Sequence, residues 1–502
     1  MHDAHELRER RSALLGIALF ALAKLALHTW INRQYGFHRD ELATLDDARH
    51  LAWGFVAYPP LTPFFGRIAL TLFGTSLAGF RFFAAAAQAV AIVLTGDIAR
   101  RLGGARAAQW LAAIAVAVAP ISLGASSLFQ YVAFDYLWWV VIAWGMTALV
   151  ASEDPRWWLV IGAGIGLGVL TKYAIAFCVA GVVLGVLLTP RRRDLRSKYL
   201  WLGVAVAVVI AAPNLLWEVR HDFITLDFLK SIHQRDIEIG RTSDFLVNQL
   251  YVPANPLTIP LWAAGLAALF FVRSFARFRI LAWVALVPFV LFIVAKGRDY
   301  YAGPLYPPLL AAGSVLLLSL MSARAVRWTL AIAIPILLAA GGAIAALILP
   351  VAPPGSAWFR RALEENGDLR EELGWPELAG EVARIWQTIP ASERAHAAIY
   401  CANYGEAGAI GLYGPAHGLP PAISGVNSFW ARGYGDPPPD IVIVVGARRE
   451  RLEQRFGVVE LAGHVPNPWH VANEEAGHPE IYVCRGPRVP WAQLWPQIRS
   501  FG

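Results

Sequence analysis

Between residues 12 and 349 the chain returns repeatedly to apolar runs of about 15 to 22 residues, and this repetition constrains the fold more than any other feature. Inside a bilayer every backbone N–H and C=O must be satisfied within the segment, so runs of this length become helices. Residues 12–30, 80–98, 107–123, 136–151, 157–170, 174–188, 199–217, 257–272, 280–295, 304–320 and 328–349 qualify, which predicts an all-α polytopic membrane domain of about eleven transmembrane helices. With 57% hydrophobic and only 16% charged residues, one soluble core is excluded. The first run follows a basic RERR segment, carries Lys24 and His28 and lacks an A-x-A-like site, so it reads as a retained signal anchor.

Orientation follows from the basic connections. RERR and the segments 100–106, 190–198, 273–279 and 322–327 all fall on one side of the alternation, which the positive-inside bias makes cytoplasmic. The N-terminus is then cytoplasmic, and the opening loop, residues 221–255, the GRDYY turn and everything after Pro350 face outward; only segment 153–156 carries no basic excess. These loops also account for the net charge of +7, so nucleic acid is not expected as a partner.

After residues 350–355 the composition becomes that of a soluble domain. The division is a membrane domain, 1–350, with an amphipathic outer loop at 32–79, and a small C-terminal α/β extracytoplasmic domain, 351–502. A helix is predicted over 369–388, and strands over 397–404, 440–446 and 480–484. Three cysteines exclude a disulfide scaffold; Cys178 lies in an apolar run, which leaves Cys401 and Cys484 as the only pair a bridge could use.

The first connection, FHRDELATLDDARHLAWGFVAYPPL, is unusually acidic for so hydrophobic a chain. Leu42, Leu45, Ala48, Leu51, Ala52 and Phe55 recur at helical steps, predicting an amphipathic helix at the membrane surface. Asp40 reads as its N-cap, Glu41 as favouring the positive helix end, Gly54 as its stop, and Asp46 and Asp47 as a solvated face. A carboxylate fixed at a helix start is also pre-positioned to act as a general base.

Other charges sit where a bilayer makes them costly. Asp135, in FQYVAFDYLWW, opens a membrane helix and reads as a functional intramembrane acid or a locally paired capping or packing Asp. Lys172 in LTKY, and Lys296 with Arg298 in KGRDYY, defy the inside bias at outward turns, at the depth where a lipid phosphate needs positive charge; the alternative is snorkelling to headgroups. Arg81, at the outward end of the second helix, reads as joining these cations or pairing with Asp135, and Arg235 and Arg241 as reaching phosphate or acceptor from the large outer loop. GAGIGLG lies inside a membrane helix and reads as small-xxx-small packing. There is no Walker motif, no H-E-x-x-H and no G-x-S-x-G around Ser424; His38 and His221 read as hydrogen-bonding or interfacial residues.

The HRDEL-type loop, the YPPL segment, LTKY, PNLLW, and KGRDYY followed by PLYP together resemble the bacterial membrane glycosyltransferases related to protein O-mannosyltransferases and lipid A aminoarabinose transferase, glycosyltransferase family 39. NYGEAGAIGLYG and CRGPRVPWAQLWP resemble one bacterial branch. The resemblance covers most of the chain and implies a GT-C fold. It also implies transfer of a sugar, with inversion, from a polyprenyl-phosphate donor to an acceptor at the outer face of the bacterial cytoplasmic membrane. The acceptor class is open: protein, lipid or glycan. The family's catalytic carboxylate maps onto Asp40 and Glu41, with Asp135 assisting, and its phosphate-binding lysine and tyrosines map onto Lys172, Tyr300 and Tyr301. Arg298 and Arg81 join these donor-phosphate candidates on their position alone. Where the aminoarabinose transferases have a lysine before the paired prolines, this chain has Tyr58, the candidate left at that position. With no D-x-D, neither a metal nor another obligatory cofactor is expected. The rival classes are a transporter or flippase of lipid-linked sugars and a non-catalytic protein that binds them; the first is disfavoured because the charges cluster at outer helix ends and no inverted repeat is visible.

Overall fold

The computed structural model describes residues 2–502, with side chains from residue 13 onward. The chain opens with α1 (His2–Ile31), α2 (Arg39–Arg49), α3 (Leu61–Phe73), α4 (Leu77–Arg101), α5 (Arg106–Ala117), α6 (Pro120–Ala125) and α7 (Tyr131–Ser152). It continues through α8 (Trp157–Val169), α9 (Ile175–Leu188), α10 (Lys198–Arg220), α11 (Ile224–Glu238), α12 (Phe245–Asn248), α13 (Ile259–Phe271), α14 (Arg279–Val294), α15 (Tyr306–Ser319) and α16 (Ala323–Ile348).

Every predicted membrane segment is helical, and the protein is a multi-pass membrane protein. Seven helical spans are long and apolar enough to cross a bilayer, or eight if Ile175–Leu188 is joined to Pro190–Arg196 across a 102° bend. The remaining segments are shorter than the sequence led one to expect. The run 107–123 breaks between α5 and α6 because Pro120 cannot donate to the preceding turn and opens a new helix instead. One amphipathic segment, α3, was not anticipated.

Close helix contact rests on glycine. Gly162 of α8 lies against the backbone of Gly203 on α10, where a Cβ would meet the Gly203 carbonyl oxygen at 2.0 Å, and Gly166 faces Ala207 and Ile210 of the same helix. The GAGIGLG stretch is therefore a packing face. The α13–α15 contact is closer still: Cβ atoms at Gly265 and Gly313 would lie 1.9 Å from the Leu309 carbonyl oxygen and 1.8 Å from that of Leu261.

The remainder holds α17 (Ala357–Glu365), α18 (Trp375–Thr388), α19 (Tyr404–Tyr413) and five strands: β1 (Ala397–Cys401), β2 (Ile423–Ser424), β3 (Ile441–Val445), β4 (Phe456–His464) and β5 (Glu480–Pro487). The sheet order is β2-β1-β3-β5-β4, parallel across β2, β1 and β3 and antiparallel from β3 to β5 to β4. The helix expected over 369–388 starts later, after Gly374 breaks the chain at φ +95°. β4 had escaped the pattern because most of its residues are exposed on this edge strand, and β2 because it is two residues long. Cys401 on β1 and Cys484 on β5 flank β3 and are both free thiols. Two strand spacings of roughly 4.8 Å each exceed a disulfide's reach, so this pair does not bridge.

The two parts share one core. Phe37, Leu42 and Leu45, with Phe80 of α4 and Phe129 and Phe134 at the α7 end, form a single apolar cluster with Trp375, Leu378 and Val382 of α18 and with Ile399 and Ile443 of the sheet. The soluble part is packed onto the end of the bundle that carries α2.

Replacing Gly313 by Ala should push α13 from α15 and cost about 1–3 kcal/mol through overpacking. Thermal unfolding in detergent should therefore show a lowered midpoint for Gly313→Ala. Gly342→Ala should leave it unchanged, because a Cβ there meets nothing within 4 Å.

Candidate functional site

The site is built on α2. Its N-cap is His38, not Asp40: the imidazole Nδ1 accepts the Asp40 N–H at 3.1 Å, and the Glu41 carboxylate reaches back to the His38 N–H at 2.9 Å, completing a capping box. The helix ends at Arg49 with His50 as C-cap. Gly54 is not its stop; it lies under the Trp217 ring, with room for no side chain.

Glu41 is wholly buried and saturated. It accepts from Arg81 Nε at 2.8 Å and Nη2 at 2.7 Å, from the Phe129 N–H at 2.7 Å and from His38. Arg81, equally buried, also donates to the Gly36 carbonyl at 3.0 Å and lies 3.4 Å from Glu372. Burial pushes the Glu372 carboxyl up to about 8, with Arg81 opposing, so near neutrality the cluster holds one full ion pair and a largely neutral acid. Arg81 therefore neither faces the other candidate cations nor pairs with Asp135, and Glu41 does not open toward them.

Asp40 precedes Glu41 by one residue and so points about 100° away around the helix. Its side chain is 38% exposed. One carboxylate oxygen accepts from Gln130 Nε2 at 2.5 Å and the other from the Tyr404 hydroxyl at 2.7 Å. Burial alone would raise its pKa, but His38, Arg39, the Tyr404 hydrogen bond and Arg298 outweigh it and hold Asp40 below the usual carboxylate value. Asp40 is thus an ionised, partly accessible acceptor.

Tyr131 lies near both Asp40 and the candidate cations. The Lys172 ammonium, in the α8–α9 turn, sits over three phenol rings, 3.5 Å from the Tyr301 centroid, 5.0 Å from Tyr131 and 5.4 Å from Tyr300. Among the described residues no carboxylate comes within 4 Å of it. Asp135, buried one turn into α7, instead accepts from Trp139 Nε1 at 3.0 Å. Arg298 stands beside the Tyr300 hydroxyl at 3.4 Å and is held by a two-pronged pair with Asp236, at 2.6 and 2.9 Å. Arg241 also approaches Asp236, at 3.7 Å, and Arg235 donates to the Gly502 carbonyl.

Tyr58 belongs to a neighbouring cluster. Its hydroxyl donates to Asp47 at 2.8 Å, and its ring lies 6.3 Å from that of Tyr131. Asp46 and Asp47 are not a solvated face: both are buried, bound to Arg432 of the soluble part, and Ser428 donates to Asp47 at 3.2 Å. Burial, opposed by Arg432, pushes the Asp47 carboxyl up to about 6. The helix expected at the membrane surface is covered instead by α19 and α3. Gln130 and Tyr131 were overlooked although they begin the FQYVAFD stretch, and Asp236 within its outer loop. Tyr404 lies in the NYGEAGAIGLYG stretch, but nothing in sequence spacing connects it to a carboxylate more than 360 residues earlier. Among the described residues no group of three or more His, Cys, Asp and Glu side chains is arranged to hold a metal ion.

Comparisons with known proteins agree with this architecture. Residues 57–217 match the family described as dolichyl-phosphate-mannose-protein mannosyltransferase. The chain is 28% identical over 364 residues to the lipid A galacturonosyltransferase RgtD of Rhizobium johnstonii, an alignment covering 68% of this chain and 72% of the relative. The crystal structure of ArnT from Cupriavidus metallidurans in the apo state superposes with a TM-score of 0.61 at 16% identity, covering 97% of this chain and 99% of that one. The same protein bound to undecaprenyl phosphate gives 0.60 at 16% identity, covering 93% and 97%. This chain has the GT-C fold, and its residues 57–217 resemble the dolichyl-phosphate-mannose-protein mannosyltransferase domain.

Proposed function

We propose that the protein is an inverting glycosyltransferase that moves a sugar from a polyprenyl phosphate to an acceptor hydroxyl at the outer face of the bacterial cytoplasmic membrane. One observation carries this reading: an ionised, partly exposed carboxylate, Asp40, and a cation, Lys172, both lie near Tyr131, the cation with aromatic faces around it and, among the described residues, no carboxylate within 4 Å. A base on one side and a positive charge without a direct carboxylate contact on the other is what displacement of a phosphate requires. Further support comes from the relative named as a lipid A galacturonosyltransferase and from the fold shared with a protein solved with undecaprenyl phosphate.

In the reaction the acceptor oxygen attacks the anomeric carbon and its proton passes to Asp40. The bond from that carbon to the phosphate oxygen breaks, and the electron pair leaves on the polyprenyl phosphate. Lys172, with the Tyr300 and Tyr301 hydroxyls and Arg298 beside them, stabilises the charge that develops there. Glu41, Arg81 and Asp135 act through position: the first two lock α2, and Asp135 adds negative charge behind Lys172. Tyr58 holds Asp47 rather than phosphate. Residues 1–350 form the transferase unit, with a cytoplasmic N-terminus, and residues 351–502 an extracytoplasmic domain. The acceptor is a membrane-anchored lipid or glycan, a class favoured by the lipid A named for the relative. No metal or other obligatory cofactor takes part. A carrier is less well supported, because these charges gather at one end of the bundle instead of lining a path through it.

Purified protein incubated with a panel of polyprenyl-phosphate sugars and a panel of hydroxyl acceptors should liberate polyprenyl phosphate and glycosylated acceptor, read by mass spectrometry. Asp40→Asn should lower that release by about a hundredfold or more while donor binding persists. Lys172→Met should lower kcat and raise the donor KM together, by roughly a hundredfold in kcat/KM. A chelator should leave the rate unchanged. Donor binding without release across the panel and a panel of hydroxyl acceptors would overturn the transferase reading.

A further inference from the structure

The stretch NYGEAGAIGLYG places glycines at 405, 408 and 411, one face of α19, and that face lies on α2. A Cβ at Gly405 would come within 2.8 Å of Arg39 Cβ, and one at Gly408 within 2.8 Å of the Leu42 backbone; the Gly411 carbonyl accepts from Arg49 at 2.7 Å. The contact is backbone against backbone, and it fixes where the first residue of α19, Tyr404, stands. A second capping box secures that end: Asn403 Oδ1 accepts the Glu406 N–H at 2.8 Å, and Glu406 accepts from the Ala402 N–H at 3.0 Å and the Asn403 N–H at 3.3 Å.

We propose that Tyr404 is a positioning residue of the reaction centre, its hydroxyl fixing the Asp40 carboxylate, so that the C-terminal domain completes the catalytic site. This rests on the transferase reading above. The direction of the hydrogen bond is forced. Arg39 Nε and Nη2 both donate to the Tyr404 oxygen, at 3.0 and 2.8 Å, so the single hydroxyl hydrogen is left for Asp40 Oδ1 at 2.7 Å. Arg39 is itself held by an ion pair to Glu474 and lies 4.8 Å from the centroid of the Tyr404 ring. A phenol polarised by a guanidinium is a strong donor, and its target is the ionised form of the base.

Asp40 is faced by other titratable or charged groups: His38 and Arg39 at the start of its own helix, Glu371 from the soluble side, and Tyr58, Tyr131 and Arg298 from the bundle. Tyr404→Phe leaves their charges in place, takes from Arg39 the acceptor of two of its hydrogen bonds and removes one donor to the charged carboxylate. With Arg39 still held by Glu474 and 3.8 Å from Asp40, loss of that donor raises the Asp40 pKa. A base works only when ionised, so the acidic limb of the kcat profile moves to higher pH.

The test is donor turnover against pH with the full-length protein, comparing wild type, Asp40→Asn, Tyr404→Phe and Gly408→Leu, with elution profile and thermal midpoint reporting the fold. Tyr404→Phe should shift the acidic limb upward and lower kcat near neutrality by roughly tenfold, with the donor KM within about twofold of wild type. Gly408→Leu, which lifts α19 off α2, should shift the limb in the same direction. If Asp40→Asn abolishes turnover but Tyr404→Phe keeps the wild-type pH profile, the role given to Tyr404 is wrong. If Asp40→Asn turns over normally, the transferase reading itself fails, and this inference with it.

Discussion

The buried pair between Glu41 and Arg81 is the interaction on which the site depends. It joins α2 to α4, and through the Phe129 N–H to the start of α7, with every lone-pair direction of the carboxylate used. A fully buried pair gains little net stability over a well-packed apolar one, but breaking it by removing one partner costs about 3–5 kcal/mol. Its value here is rotational. With Glu41 locked inward, the helix has one orientation, and the neighbouring Asp40 is turned toward Gln130 and Tyr404.

From this anchor the remaining contacts follow in sequence around α2. Leu42 and Leu45 enter the shared apolar core, Asp46 and Asp47 meet Arg432, and Asp40 lies near Tyr131, one wall of the cage around Lys172. Four acidic residues on one short helix thus have separate tasks, set by environment: a structural ion pair, an ionised acceptor, and two carboxyls raised by burial and matched by an arginine from the soluble domain. The same reasoning separates the cations. Arg81 and Arg298 are paired directly with carboxylates, whereas Lys172 touches aromatic faces and has no carboxylate within 4 Å among the described residues.

The membrane helices were legible in the sequence because bilayer solvation leaves the backbone no alternative, and the helices end close to the predicted places except where Pro120 starts a new one. The acidic loop was equally legible as a helix. Its orientation was not. Asp is the commoner N-cap, which concealed that His38 with Glu41 forms the box, and two adjacent aspartates read as a solvated face because their partner, Arg432, lies 385 residues from Asp47. Arg81 was readable as an important intramembrane cation but not as a spent one, since spacing does not reveal which carboxylate a side chain meets. For Tyr404 the glycines 405, 408 and 411 were the available signal: a small-residue face at helical spacing announces a close partner without naming it.

The docking of α19 onto α2 also sets an order of assembly. α2, α4 and α7 are all made within the first third of synthesis, so the Glu41–Arg81 anchor has both its partners early. Asp40, Asp46 and Asp47 wait for Tyr404 and Arg432, which leave the ribosome after the membrane helices have been made. Until the C-terminal part has folded against the bundle, the chain can be inserted while three of the four acidic side chains of α2 still lack these partners.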